Sequence, residues 1–267
     1  MKFKVKEKSK SFHNTSIGSY HSKAILKGCF FLLTSFGLLW FILVTSSEVF
    51  VDKYADKFDG MLAKMELSGK MKHQLAIRNC NISLTQRMRV AEVFDLLLQR
   101  INSKRSENYH LVFSCMETPN AFAAPNGAVI VTSGLLKTLK TDAGLAMVLA
   151  HEIAHLELKH VLKRWARESV LLVTWSLVLG DNLRNGSIDL VELVNSRANE
   201  SEADDYAFEL ASTIYPKDRN LLEFFEYLDR SEKAGINLDF LQTHPNSKAR
   251  FNKLRGLLQS STPSPAA

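Results

Sequence analysis

The chain has 267 residues, 46% of them hydrophobic, and a formal net charge of +6. That allows one catalytic domain of ordinary size plus an appendage. Residues 1–27 hold seven lysines and one acid, Glu7, leaving 27 basic and 27 acidic residues for everything else. A nucleic-acid-binding enzyme carries its basic patch on the folded body, so that class is excluded. A basic tail in front of a neutral body reads instead as a membrane-topology signal.

Taken in order, residues 1–22 are polar, basic and Ser-containing, and are expected to be disordered. The uncharged run Gly28–Val44 (GCFFLLTSFGLLWFILV) follows, with Lys27 before it and Glu48 the first charge after it. Counted with Thr45–Ser47, it has the length to span a bilayer. Its apolar core is long for a cleaved signal peptide and the cut near Val44-Thr45-Ser46 is weak, which favours a retained signal anchor over residues 28–47. Positive-inside bias puts the tail, residues 1–27, in the cytoplasm and the body on the periplasmic or other extracytoplasmic side. In a eukaryote the same leader could serve a mitochondrial inner-membrane protein. The leader contains no arginine, however, whereas transit peptides favour it.

Residues 48–80 mix charges with apolar positions and suit a helical stalk. Cys29 lies in the apolar run; Cys80 and Cys115 lie in the body, where they either pair or stay as two buried thiols. Ser83 or Thr85 can start a helix in which Met88, Val90, Val93, Phe94, Leu97, Leu98 and Ile101 recur at helical spacing. The period then changes. Tyr109–Met116 reads as a strand, Asn120–Ala124 as a short extended piece, Asn126-Gly127 as a turn and Ala128–Thr132 as a second strong strand. Ser133 can cap a short helix through Leu139. A longer helix is expected from about Thr141 to Arg164 or beyond, capped by Thr141 or Asp142.

Ser169–Gly180 is a second apolar patch, short for a span, and reads as a core helix or as a hairpin facing the membrane or covering the site. After a loop at Asp181–Ser187, helices are expected over Ile188–Ile214, Lys217–Ser231 and Asn246–Leu258. Ser260–Ala267 is a Pro/Ser tail, so the body runs from residue 81 to 258 and residues 259–267 are expected to be disordered. The predicted fold is mainly α with a small β-sheet, an α+β arrangement behind an N-terminal transmembrane helix.

The chemistry concentrates in His151-Glu152-Ile153-Ala154-His155. Positions i and i+4 are neighbours on a helix, so two imidazoles meet at one point and form half a metal site. Glu152, next to the first of them, can act as general base on a water at that metal. A histidine as third ligand would need the extended pattern HExxHxxGxxH, but Leu158 and Val161 stand where its Gly and His would be. His160 is one residue early and is expected to point to another face. A glutamate from a later helix is the other solution. Glu200-Ser201-Glu202-Ala203-Asp204 supplies it, with Glu200 and Asp204 on one face. Glu200 is then the third ligand, and Asp204 orients a ligand histidine through its far nitrogen. Glu202 lies about 200° round the helix and is expected to face elsewhere. Imidazole and carboxylate in an open tetrahedral site favour one Zn2+ per chain.

HExxH with a distant Glu200-Ser-Glu-Ala-Asp204 resembles the HtpX-like and CAAX-prenyl-endopeptidase group of zinc metallopeptidases. Pro119-Asn-Ala-Phe-Ala followed by Gly127-Ala-Val-Ile-Val-Thr-Ser-Gly-Leu-Leu136 is similar to the strand pair ahead of that group's motif helix. His244-Pro245, followed by an Arg-containing helix, resembles a late feature of the family. The resemblance covers roughly residues 80–258 and is closest to compact exported BepA-like and LoiP-like members. It implies a zincin-like domain with zinc on His151, His155 and Glu200 and with Glu152 as catalytic base. It also implies that His244 approaches the metal, to stabilise the oxyanion or to occupy the site in a latent state. Asn120, Ala121 and Phe122 would offer an edge strand to which a substrate peptide adds. The function expected is a membrane-tethered zinc endopeptidase acting on unfolded or misassembled envelope or membrane proteins in quality control. Its rival is a non-proteolytic chaperone or binding module that keeps the fold, although such a module has no chemical need for Glu152.

Overall fold

Helix-forming sequence dominates the chain, and in this computed structural model the sheet has three short strands among the described residues. The structure describes residues 17–64, 73, 82–179, 197–236, 239–245 and 247–260. The chain divides into two compact units, Met1–Thr45 and Ser46–Ala267. Helix α1, Ile17–Leu62, begins inside the stretch expected to be disordered. Once the apolar run has nucleated a helix, extending it backward by a few residues costs little. Residues 1–16 lie outside the described residues. Within α1, Ile25–Ala55 is long and apolar enough to cross a membrane, and its side chains are largely exposed. The helix continues into the expected stalk as far as Leu62; beyond residue 64 the stalk lies outside the described residues, His73 excepted.

In the second unit, helix α2, Leu84–Leu98, opens with a capping box. Ser83 Oγ accepts from Gln86 N, and the Gln86 side chain accepts from Ser83 N. The polar break after it contains a 3-10 turn, Lys104–Asn108. Strands β1 (His110–Ser114), β2 (Ala121–Ala123) and β3 (Ala128–Thr132) form one sheet in the order β1-β3-β2. β1 runs parallel and β2 antiparallel to β3, with Phe122 opposite Ile130. All five residues of β3 are buried, as a central strand covered on both faces requires. Gly127 turns the chain between β2 and β3 at φ 82°, where a Cβ would also come 2.6 Å from the Asn108 carbonyl oxygen. Thr132, rather than the expected Ser133, caps helix α3, Ser133–Thr138. Its Oγ1 accepts from Leu135 N, while Ser133 Oγ donates to the Met116 carbonyl.

Helix α4, Asp142–Glu157, is the centre of the core, buried without interruption from Ala143 to Leu156. A helix apolar nearly all round has no solvent face, so every neighbour packs on it: β2, α2, helix α6 (Arg197–Ser212) and helix α7 (Glu223–Lys233). Thr141 is its N-cap, accepting from Gly144 N. The Glu223 carboxylate then accepts from Lys140 N, Thr141 N and Thr141 Oγ1, fixing the start of α4 to α7.

The expected continuation of α4 to Arg164 is corrected. Leu158 ends it, Lys159 takes a left-handed φ of 62°, and helix α5, His160–Leu179, restarts in a new direction. Near its start, Leu162 is buried against Val51, Ala55 and Leu62 of α1, with Trp165 and Ala166 beside them, and Lys163 pairs with Asp52 at 2.9 Å. The second apolar patch is helical backbone through Leu179, which removes the hairpin reading up to that residue. Its side chains from Leu171 onward lie outside the described residues. So do the loop at 181–187, the expected helix start at Ile188, Cys80 and the tail at 261–267.

Beyond α6, the expected helix at Lys217 begins instead as a 3-10 turn, Arg219–Leu222, capped by Asp218, with Lys217 itself at φ 60°. An unexpected one-turn helix α8, Asp239–Thr243, precedes His244, and helix α9, Ser247–Ser260, closes the fold. Cys115 is disulfide-bonded, with its partner outside the described residues, and Cys29 is free and exposed.

Candidate metal centre

The last two turns of α4 carry His151 and His155. α6 crosses them and contributes Glu200, and the end of α8 delivers His244. These four side chains, all buried, offer ligand atoms that lie within 4.8 Å of one another. His151 Nε2 is 3.1 Å from His155 Nε2 and 3.5 Å from Glu200 Oε2, and His155 Nε2 is 3.3 Å from Glu200 Oε1. His244 Nδ1 is 3.3 Å from His151 Nε2 and 3.1 Å from each Glu200 oxygen. A tetrahedral zinc with bonds of about 2.0–2.1 Å separates its ligands by about 3.3 Å, so the donor set fits such an ion in spacing as well as in chemistry. His244 stands at the fourth corner, the position a catalytic centre leaves to water.

Glu152 points to the same space. It is 1% exposed, its Oε1 has no hydrogen-bond partner, and His244 Nε2 lies 3.6 Å away. Burial raises its pKa, against the nearby histidines and a hydrogen bond from the Ala123 backbone of β2. That bond brings the edge strand to the general-base position. Asn120 and Ala124, which flank β2, bond to the ends of β3, while the Ala123 backbone turns to Glu152. Asn120 is fully buried, and neither atom of its side-chain amide has a hydrogen-bond partner.

A second ring of charge holds the donors. Asp204 Oδ1 is 3.1 Å from His151 Nδ1, the nitrogen facing away from the cluster. Arg250, on α9 and 5% exposed, grips Asp204 through Nε at 2.7 Å and Nη2 at 2.8 Å, and reaches Glu200 through Nη1 at 2.5 Å. Burial alone would raise the Asp204 pKa, but the Arg250 fork and His151 bring it down to about 2. Glu200 is likewise held far below the usual carboxylate range by the three histidines, despite its burial. Desolvation works against a charged His151, yet the bonds to Asp204 and Glu200 win and lift it to about 9. His155 goes the other way: burial, with His151 and His244 beside it, drives it well below the ordinary histidine value. The Phe240 ring stacks on His244 at 4.4 Å and 22°, fixing the plane of the imidazole.

Two expectations about orientation are corrected or extended. His160 does not face away: the turn at Lys159 folds it back so that its Nδ1 lies 3.1 Å from His155 Nδ1. Glu202 is exposed and outside the donor set, but its Oε2 lies 3.3 Å from His160 Nε2. Arg250 was not identified from the sequence. Two buried acids on one face of α6 demand a counter-cation, and the Arg-containing helix after His244-Pro245 is where the sequence offers one.

Two imidazoles one helical turn apart, a glutamate between them and an acid from a separate helix, all beneath a small sheet, define the HExxH class of metallopeptidases. Within that class the chain belongs to peptidase family M48, whose model matches residues 84–258. It is similar to the mitochondrial metalloendopeptidase OMA1 of Schizosaccharomyces pombe, 36% identical over 144 residues that cover 51% of this chain and 43% of that protein. The metalloprotease LoiP of Escherichia coli is 33% identical over 147 residues, covering 51% of this chain and 57% of LoiP. The beta-barrel assembly-enhancing protease of Yersinia pestis is 26% identical over 188 residues, covering 64% and 38%. The chain spans less than half the length of the OMA1 proteins it matches.

Proposed function

We propose that the protein is a membrane-tethered zinc endopeptidase that hydrolyses peptide bonds in unfolded or misassembled proteins. The observation that carries this reading is the buried Glu152 carboxylate, its Oε1 without a hydrogen-bond partner, facing a donor cluster of tetrahedral spacing. Zinc held by His151, His155 and Glu200 would polarise the scissile carbonyl and make a water acidic enough to attack at neutral pH. Glu152 Oε1 takes the proton of the attacking water and returns it to the departing amine nitrogen. Its raised pKa suits both halves of that task. His244, once displaced from the fourth corner, donates a hydrogen bond to the developing oxyanion. The arrangement is therefore a capped one, with Phe240 of α8 stacked on the His244 ring. Asp204 and Arg250 hold the donors in place without touching the substrate.

The substrate strand pairs alongside β2, the outer strand of the sheet, once the cap over the site is displaced, and the Asn120 amide gains its hydrogen-bond partners there. Backbone pairing selects extended chains over particular side chains, which suits clients in quality control. The lysine-rich tail lies on the cytoplasmic side and the catalytic unit beyond the membrane, in the periplasm or, in a eukaryote, at the mitochondrial inner membrane. The disulfide at Cys115 supports an oxidising compartment for the body.

Purified full chain, loaded with zinc, is expected to shorten casein, and Glu152→Gln to lose that cleavage while keeping its metal. Metal-loaded protein that binds casein without shortening it, even when His244 is replaced, would favour the binding-module reading instead.

A further inference from the structure

The far nitrogen of His151 lies 3.1 Å from Asp204 Oδ1, a carboxylate behind the imidazole as is usual for a metal-binding histidine. The far nitrogen of His155 has a different neighbour. It meets the Nδ1 of His160, 3.1 Å away, and the other nitrogen of His160 lies 3.3 Å from Glu202 Oε2. Two imidazole nitrogens that close need one proton between them. With none, two lone pairs face each other; with two, the protons collide. A histidine that binds a metal through Nε2 has its lone pair committed there, so its proton is on Nδ1. The His160 Nδ1 must then accept, its own proton moves to Nε2, and that proton points at the Glu202 carboxylate. Every donor and acceptor is fixed once the metal end is fixed.

We propose that His160 and Glu202 form a positioning relay for His155, locking it in the tautomer and orientation that bind the metal. The proposal rests on the metallopeptidase reading above. The backbone is arranged to make the contact. Lys159 sits at φ 62°, a conformation disfavoured for a residue with a side chain, and this turn sends His160 back over the end of α4. His160 is 5% exposed and meets His155 edge-on, with ring centroids 5.2 Å apart. Glu202 is two residues from Glu200 on the same helix. α6 therefore supplies a metal donor from its buried face and the anchor of the relay from its flank. One histidine is held by an aspartate and an arginine, the other by a histidine and a glutamate, so the two ligands are supported independently.

The test uses the full chain in detergent and follows transfer of zinc to a chelator. His160→Phe keeps a ring but removes the acceptor, and should speed zinc release by about 10- to 100-fold. His160→Asn, with an amide oxygen near the Nδ1 position, should recover most of the wild-type rate. Glu202→Ala, at an exposed position where folding is not at risk, should speed release by about tenfold or less. A second readout is proton NMR of the cobalt(II)-loaded protein. The His155 Nδ1–H resonance should persist in wild type and His160→Asn but vanish by exchange in His160→Phe, while the His151 resonance persists in all. Wild-type release rates in both His160→Phe and Glu202→Ala would overturn the relay. So would equal loss in His160→Asn and His160→Phe with Glu202→Ala unaffected, because packing alone would then explain the effect. If His160→Phe does not fold, Glu202→Ala decides. Wild type that holds neither metal overturns the metal centre and the relay together, whereas wild type that holds metal beside indifferent variants overturns the relay alone.

Discussion

At the scale of single residues, the site is a set of buried charges that neutralise one another. Replacing Glu152 by Gln preserves shape and removes the base. Casein cleavage by the zinc-loaded protein should fall by at least about 10^2- to 10^4-fold with zinc content unchanged, read by gel assay beside metal analysis. Asp204 gives a pH prediction for the metal-free protein. Its folded pKa is depressed to about 2 from an ordinary 3.8. A depressed carboxylate pKa contributes stability that is fully present above the unfolded value and is lost as pH falls through the folded one. Acid titration monitored by circular dichroism should show roughly 2 kcal/mol disappearing between about pH 4 and pH 2. Asp204→Asn should remove that dependence and leave Glu200 as the remaining acid paired with Arg250. Glu200, Asp204 and the two motif histidines were legible as chemistry because their spacing places them on helix faces. Arg250 and His160 were not, because their roles depend on where α9 and the turn at Lys159 carry them.

Among the elements, α4 and β2 decide most. α4 is held at its start by the Glu223 carboxylate, and Gly144 makes room for it. A Cβ there would lie 2.5 Å from Glu223 Oε2 and 2.9 Å from Glu223 Cβ. Gly144→Ala should therefore destabilise the domain by about 1–3 kcal/mol despite alanine's better helix propensity, seen as a lower melting temperature. Asn120, the residue just before β2, carries the opposite signature. A buried amide with no partner costs stability in the free protein, so Asn120→Leu should melt no lower than wild type, or higher. If the amide serves the substrate, the same variant should raise KM for casein peptides; an unchanged KM would remove Asn120 from the substrate strand. Helix and strand identities were readable from period, as the change at Tyr109 and the all-buried β3 illustrate. The boundary at Leu158–Lys159 was not. The residues on both sides have good helix propensity, and only tertiary packing of α5 against α1 favours the break.

For the whole molecule, charge and hydropathy separate a basic, apolar N-terminal unit from a neutral body. The full chain should remain with membranes after carbonate extraction, while residues 46–267 should be soluble and still cleave casein. A soluble full chain would argue against tethering by α1. Protease digestion of sealed vesicles should spare the body and trim the lysine-rich tail when applied from the cytoplasmic side, and the reverse result would invert the proposed topology.

The α+β class, the apolar N-terminal helix, the motif helix and the acid pair on α6 are written in the chain's periodicity, because each of these is a periodic or local property. Only the tertiary structure decided that His244 stands at the fourth corner, that Arg250 neutralises two acids at once, and that His160 turns back to His155. Those contacts join residues brought together by chain reversals at Lys159 and at α8. A reversal depends on which packing of whole elements buries the most apolar surface while leaving no charge alone, and no local pattern encodes that choice.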